Sequence, residues 1–144
     1  DRPAAVEEVR ASIESFATGG ATMHCDVVAG DFFEDVPVEA DAYLLKHILH
    51  HWPDDACITL LNTCRQAMRP DGRILVIEQV LRLGRTTFPS SIAPLLDVQM
   101  MVMSAHGRER TENEYRMLFE AAGLRLARVV PTTSLCSILE GIVA

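Results

Sequence analysis

Between residues 54 and 80 the chain switches once between the two periodicities open to a folded backbone. Cys57, Leu60, Leu61, Cys64 and Met68 recur at three- and four-residue spacing while Asp55, Thr59, Asn62 and Arg65 fall elsewhere, which predicts a helix over 54–68 with one apolar face. Pro70-Asp71-Gly72 then reads as a turn, and 74–80 as a strand apolar on both faces apart from Glu78 and Gln79. A strand of that kind must be covered on both sides, which is the situation of a parallel sheet between layers of helix. The run 41–46, closed by Lys46, has the same character.

The other segments fit this frame. After Pro3, the residues Val6, Val9, Ile13 and Phe16 keep helical spacing as far as Gly19-Gly20. Residues 23–29 alternate weakly, Met23, Cys25 and Val27 against His24 and Asp26, and end at Gly30-Asp31, which predicts a strand. Residues 81–91 are polar and turn-rich and read as a loop. Residues 92–103 are helical in length but apolar almost all round, so a helix there has to be covered on several sides. Thr111-Glu112-Asn113-Glu114 has capping-box spacing, followed by Tyr115, Leu118, Phe119 and Ala122 as an inward face and Gly123 as the stop. Strands near 124–130 and 134–142, separated by Pro131, close the chain. Helices and strands in this alternation predict an open α/β sheet.

Composition limits the partners. At 144 residues and 49% hydrophobic content the chain can build one core. Thirteen Lys+Arg against twenty Asp+Glu leave a net charge of −7 with no dense basic block, which argues against nucleic acid and leaves a small neutral or cationic ligand open. Apolar stretches stop well short of the ~20 residues of a membrane span, and no secretion signal is legible, so no membrane partner and a cytoplasmic location are expected. Cys25, Cys57, Cys64 and Cys136 lie among aliphatic neighbours without a CxxC pair, which predicts buried reduced thiols.

Ligands of open α/β sheets bind outside the carboxyl ends of the strands, where Asp31 and Lys46 are expected; Asp1 stands ahead of the first helix. A carboxylate can grip a vicinal diol, so Asp1 reads equally as a ribose ligand or a helix cap, and Asp31 as a ligand group or a turn cap. His47, His50 and His51 form the densest titratable cluster. No H-E-x-x-H pattern or nearby carboxylate set accompanies them, so no metal site is expected. A single histidine beyond a strand end suits a general base, although the residues alone favour solvated imidazoles at a helix start. Met100, Met101 and Met103 read as core before site, Trp52 as the anchor of the following helix, and Arg108 and Arg110 as solvated loop residues.

Several spaced motifs carry a resemblance across the chain: Gly30-Asp31-Phe32-Phe33, Asp41-Ala42-Tyr43-Leu44-Leu45-Lys46, Ile48-Leu49-His50-His51-Trp52, Met68-Arg69-Pro70-Asp71-Gly72-Arg73, and Gly107-Arg108-Glu109-Arg110-Thr111 followed by Glu114-Tyr115. The chain resembles the S-adenosylmethionine-dependent small-molecule O-methyltransferases of the plant caffeate and flavonoid type and their bacterial polyketide-tailoring relatives.

The resemblance implies a Rossmann-like sheet with flanking helices and an antiparallel C-terminal strand. It implies that residues 1–144 are the C-terminal part of a catalytic domain, without the first strand, glycine-rich loop, first helix and N-terminal dimerisation domain. Residue by residue, it places Asp1 on the cofactor ribose, Asp31 and Phe32 beside the adenine, and Lys46 along the cofactor pocket. His50 matches the catalytic base, Glu78 and Glu109 the carboxylates that flank it, and Met100 and Ser104 the wall facing the acceptor. The implied cofactor is S-adenosylmethionine, the acceptor an aromatic or phenolic small molecule, the assembly a homodimer, and no metal is required.

Two departures from the family pattern stand out. No G-x-G-x-G run occurs in the 144 residues, so the chain alone is expected to bind the cofactor weakly and to methylate nothing. His51 stands where plant members usually carry Asp; it reads first as drift, and otherwise as a group that shifts the pKa of His50. Rival readings are a non-catalytic remnant or interaction subunit of the same fold, and a relative that keeps the cofactor for hydroxylation or decarboxylation.

Overall fold

The computed structural model describes residues 3–17, 25–37, 39–82 and 93–144. In chain order the elements are α1 (Pro3–Ala17), β1 (Ala40–Lys46), a 3-10 turn (Leu49–His51), α2 (Asp54–Ala67), β2 (Met68–Glu78), β3 (Val80–Leu81), α3 (Ala93–Met103), β4 (Arg110–Thr111), α4 (Glu112–Ala121), β5 (Leu124–Pro131) and β6 (Ser137–Val143). The main sheet runs β1-β2-β6-β5, and β3 and β4 form a separate pair. β1 and β2 are parallel, as expected of strands joined through a helix; β6 lies antiparallel to both β2 and β5.

The inward row of β2 explains the core and leads directly to the site. Ile74, Val76 and Glu78 alternate with more exposed residues and are all fully buried. α2 presents Cys57, Leu60, Leu61 and Cys64 to the same interior, and α4 adds Tyr115, Leu118 and Phe119. Glu78 is therefore a carboxylate in the last place of an aliphatic row. Gly141 of β6 faces the Phe119 ring, which occupies the space a Cβ would need.

α4 starts as its sequence dictates. The Thr111 hydroxyl accepts from the Glu114 amide at 3.3 Å while Glu114 accepts from the Thr111 amide at 2.7 Å, a complete capping box. Gly123 follows the helix at φ +72°, the left-handed conformation that glycine adopts without strain.

Several expectations need correction. Residues 21–24 lie outside the described set, and 25–30 form no strand; they are largely exposed, and Arg10 of α1 reaches the Val27 carbonyl at 3.5 Å. Pro70-Asp71-Gly72 lies within β2, as an excursion: Ala40 pairs with Met68 and Ala42 with Arg73, so four residues bulge opposite Asp41. β1 is parallel as expected, but of its seven residues Tyr43 alone is buried and Leu44 is 60% exposed. The loop expected over 81–91 begins with Val80–Leu81 paired to Arg110–Thr111; residues 83–92 lie outside the described set. α3 is not covered on several sides by the described residues: Met100 is buried, whereas Leu95, Val98, Met101, Val102 and Met103 are exposed. Three cysteines are buried free thiols, but Cys25 is exposed.

Candidate active site

Topology assembles the site at one edge of the sheet. Because β1 and β2 are parallel and in register, with Lys46 opposite Ile77, their carboxyl ends finish together. His47, just past β1, donates its amide to the Ile77 carbonyl at 3.2 Å. The following 3-10 turn brings the backbone over Glu78, whose Oε1 accepts from the Ile48 amide at 3.0 Å and the His50 amide at 3.4 Å. The β3–β4 pair aligns Val80 with Arg110 and so carries Glu109 to the same place.

His50 sits between the two carboxylates. Its Nδ1 is 3.2 Å from Glu109 Oε1 and 3.4 Å from Glu78 Oε2. The imidazole is nearly buried and both carboxylates are fully so, not the solvated arrangement that the residues alone suggested. A carboxylate only accepts, so the proton of a neutral His50 resides on Nδ1 and its lone pair on Nε2. That is the tautomer a general base requires.

The electrostatics are opposed and balanced. Burial alone lowers the pKa of His50, but the hydrogen bond to Glu109 and the charges of Glu78 and Glu109 outweigh it, and the result lies above the ordinary value of 6.5. Glu78 is pushed up to about 7, chiefly by burial and further by the charge of Glu109, against the pull of His50 and two backbone amides. His51, exposed and edge-on to His50 at 4.3 Å between ring centroids, is lowered by its own burial and by the neighbouring His50 and His47. The shift expected on His50 from a second imidazole is therefore found on His51 instead.

The turn that carries His50 is held by Arg110, which is buried and not the solvated loop residue expected from its sequence. Arg110 is fully buried; its NH1 donates to the Leu49 carbonyl at 2.9 Å and its NH2 to the Trp52 carbonyl at 2.8 Å. Asp54 accepts from Arg110 at 2.7 Å and from Arg108 at 2.9 Å, and Arg108 also reaches Glu114 at 2.8 Å. Asp97 was likewise overlooked. It is the one charged residue in the apolar sequence of α3, which was its signal, and its carboxylate accepts from the Glu109 amide at 2.7 Å.

The remaining candidates fall into two groups. Along α3, Met100 is buried, and Ser104 donates to the His51 carbonyl at 3.1 Å, joining the end of α3 to the turn that carries His50. A Cβ at Gly107 would approach the Met100 carbonyl to 2.8 Å, so only glycine lets the chain pass α3 so closely before Glu109. On the other side, Phe32 lines a cleft of about 680 Å³ with Val9, Ile13, Val27 and Val36. It stands edge-on to Phe33, which in turn meets Trp52 at 4.8 Å. Asp31 is exposed and accepts from the Phe33 amide at 2.9 Å, so it does cap its turn. Lys46 is exposed at the end of β1, and Asp1 lies outside the described residues.

Comparison with known proteins accords with this architecture. Residues 1–125 match the family described as O-methyltransferase domain. The chain is 40% identical over 131 residues to the phenazine O-methyltransferase PhzM of Lysobacter antibioticus, covering 91% of this chain and 37% of that protein. The structure of the mitomycin 7-O-methyltransferase MmcR superposes with a TM-score of 0.86 at 34% identity, over all of this chain and 40% of that one. The O-methyltransferase NcsB1, solved with S-adenosylmethionine and 2-hydroxy-5-methyl naphthoic acid, gives a TM-score of 0.79 at 28% identity over 100% of this chain and 40% of that one. The chain thus spans about two fifths of the length of these relatives. With a Rossmann-like sheet, a histidine held between two carboxylates and this extent of similarity, the chain belongs to the O-methyltransferase family.

Proposed function

We propose that this chain serves the transfer of a methyl group from S-adenosylmethionine to a hydroxyl of an aromatic or polyketide-like small molecule, with His50 as general base. The observation that carries the reading is the Nδ1 of His50 set 3.2 Å from Glu109 and 3.4 Å from Glu78. A phenol, with a pKa of about 10, is a weak nucleophile at neutral pH. The Nε2 lone pair of His50 takes its proton as the oxygen reacts, and Glu109 holds the Nδ1–H and, with Glu78 close by, stabilises the imidazolium that results. Orienting the acceptor against this nitrogen supplies a large share of the rate.

S-adenosylmethionine, when bound, supplies a methyl group made electrophilic by a positively charged sulfur. The apolar cleft beside Phe32 is of a size and character that suit a flat heterocycle, and a protein of net charge −7 suits a cationic ligand. In this reading Phe32 packs on the adenine, Asp31 hydrogen-bonds it, Lys46 lines the same pocket and Asp1 grips the ribose. Met100 and Ser104 face the acceptor, and the working assembly is a homodimer. Without a G-x-G-x-G run the 144 residues alone hold the cofactor weakly.

Turnover is therefore measured on a polypeptide in which these residues follow a glycine-rich turn, offered hydroxylated phenazines and naphthoates with methyl-labelled cofactor. The expected product carries one added methyl group on oxygen. His50→Ala is expected to lower the rate on the order of 10²–10⁴-fold; near-normal turnover would overturn the assignment. A hydroxylated or decarboxylated product would favour the cofactor-retaining alternative, and no product from any acceptor the non-catalytic one.

A further inference from the structure

The carboxylates around His50 do more than orient it, because a second histidine points at the same oxygen. His47 Nδ1 lies 3.6 Å from Glu78 Oε2, and His50 Nδ1 lies 3.4 Å from it. One ligand atom from each of His47, His50 and Glu78 lies within 4.8 Å of the others. A tetrahedral zinc ion with bonds of about 2.0–2.1 Å holds its ligand atoms about 3.3 Å apart, so the two nitrogen–oxygen separations already match; the rings of His47 and His50 stand stacked at 25°, and His47 has to turn for both Nδ1 atoms to face one ion.

Hydrogen bonding leaves the site unfinished. Glu78 Oε2, Glu109 Oε2 and His47 Nδ1 are buried atoms that make no hydrogen bond, and the side chains of Glu78 and Glu109 are 0% and 1% exposed. Buried polar atoms in this state call for a partner. Two buried acidic side chains beside two imidazoles are ligands of the kind a divalent cation takes. The His47 side chain, 39% exposed, leaves a route of entry. Cys136 lies on the opposite side of that ring, 3.7 Å from Nε2, and supports the ring without joining the ligand set.

We propose that His47, His50 and Glu78, with Glu109 supplying further negative charge, form a site for one zinc-type divalent ion that locks the base in an inactive tautomer. The metal bonds to Nδ1 of His50 in place of the proton there. The single proton of the neutral ring then resides on Nε2, the atom that has to accept from the acceptor hydroxyl. The inhibitory consequence rests on the reading of His50 as base; the binding itself does not. No carboxylate stands close to these histidines in sequence; Glu78 arrives from the next strand.

The test is a titration of the polypeptide described above with Zn²⁺ against a chromogenic chelator and with Co²⁺ by visible absorption, beside methyl-transfer rates at each Zn²⁺ concentration. His47→Asn is the informative variant, because His47 adopts φ +53° and asparagine tolerates that backbone. One ion is expected to bind at micromolar concentration and to stop turnover. His47→Asn should raise both the dissociation constant and the half-inhibiting Zn²⁺ concentration at least tenfold, and Cys136→Ser neither. Histidine ring ¹⁵N spectra of the unmutated protein supply a readout independent of any variant's folding, with metal expected on Nδ1 of His50. No saturable binding below millimolar Zn²⁺, insensitivity to His47→Asn, or coordination through Nε2 would overturn the site and leave the base assignment standing. Binding at Nδ1 without loss of turnover would overturn the tautomer lock and count against His50 as base.

Discussion

The guanidinium of Arg110 meets the carboxylate of Asp54 through both Nε, at 3.0 Å, and NH2, at 2.7 Å, with Arg110 buried and Asp54 half exposed. The same guanidinium satisfies the carbonyls of Leu49 and Trp52, so one side chain fixes both ends of the turn that carries His50. Arg110→Met takes this donor from the Leu49 and Trp52 carbonyls and leaves Asp54 with Arg108 alone, and is expected to lower stability by about 3 kcal/mol, together with turnover. Urea unfolding checks it; a midpoint equal to that of the parent would mean water replaces the guanidinium.

Glu109→Gln keeps an acceptor near Nδ1 but removes its charge. The folded pKa of His50 lies above 6.5, and the reactive form is the deprotonated one, so the rate climbs as pH rises through that pKa. In the variant the limb is expected to move to lower pH while the maximal rate falls, because the imidazolium formed during proton transfer is less stabilised. A profile of kcat/KM against pH measures both; an unmoved limb would remove Glu109 from the base's environment.

Glu78 trades stability for position. Its folded pKa of about 7 exceeds its ordinary 4.5, so the folded state holds the proton more tightly and stability drops as pH rises from 4.5 to 7, then levels. The loss amounts to about 3 kcal/mol on an order-of-magnitude basis. Glu78→Gln, which still accepts from the Ile48 amide, is expected to flatten this part of the pH–stability curve and to gain stability at pH 8 while losing turnover. Urea midpoints at pH 5 and pH 8 decide it: equal slopes in both proteins would show that the carboxylate is not strained.

His51→Asp places an anion beside the His50 ring. An adjacent negative charge favours imidazolium, so the acid limb of the rate profile is expected to move to higher pH, opposite to the effect of Glu109→Gln. Stability should change by no more than about 0.5 kcal/mol, as His51 is exposed. Thermal melts and the pH profile test the two halves separately.

Features written within a few residues were legible in the sequence. The face of α2 follows from spacing alone, and the Thr111–Glu114 cap is complete within four positions. Residues 25–29 show the limit of such reasoning, since alternation is written locally whereas a strand ladder is made with chain distant in sequence, and none forms there. Arg110 shows it from the other side. A charged loop residue reads as solvated because burying it is costly without partners, and its partners stand 56, 58 and 61 positions away in sequence.

His50, the proposed base, is the clearest division. Its type and place past a strand end are written in the chain, and family motifs single out His50 from its neighbours. Which ring nitrogen holds the proton is not written there. Glu109 is 59 positions distant and the amide contact to Glu78 spans 28, so only the parallel register of β1 and β2 and the β3–β4 pair bring those carboxylates to one nitrogen. Periodicity determines local elements because their hydrogen bonds are short-range; the tautomer and the pKa of His50 depend on charges a few ångströms away in space, which only the folded chain supplies.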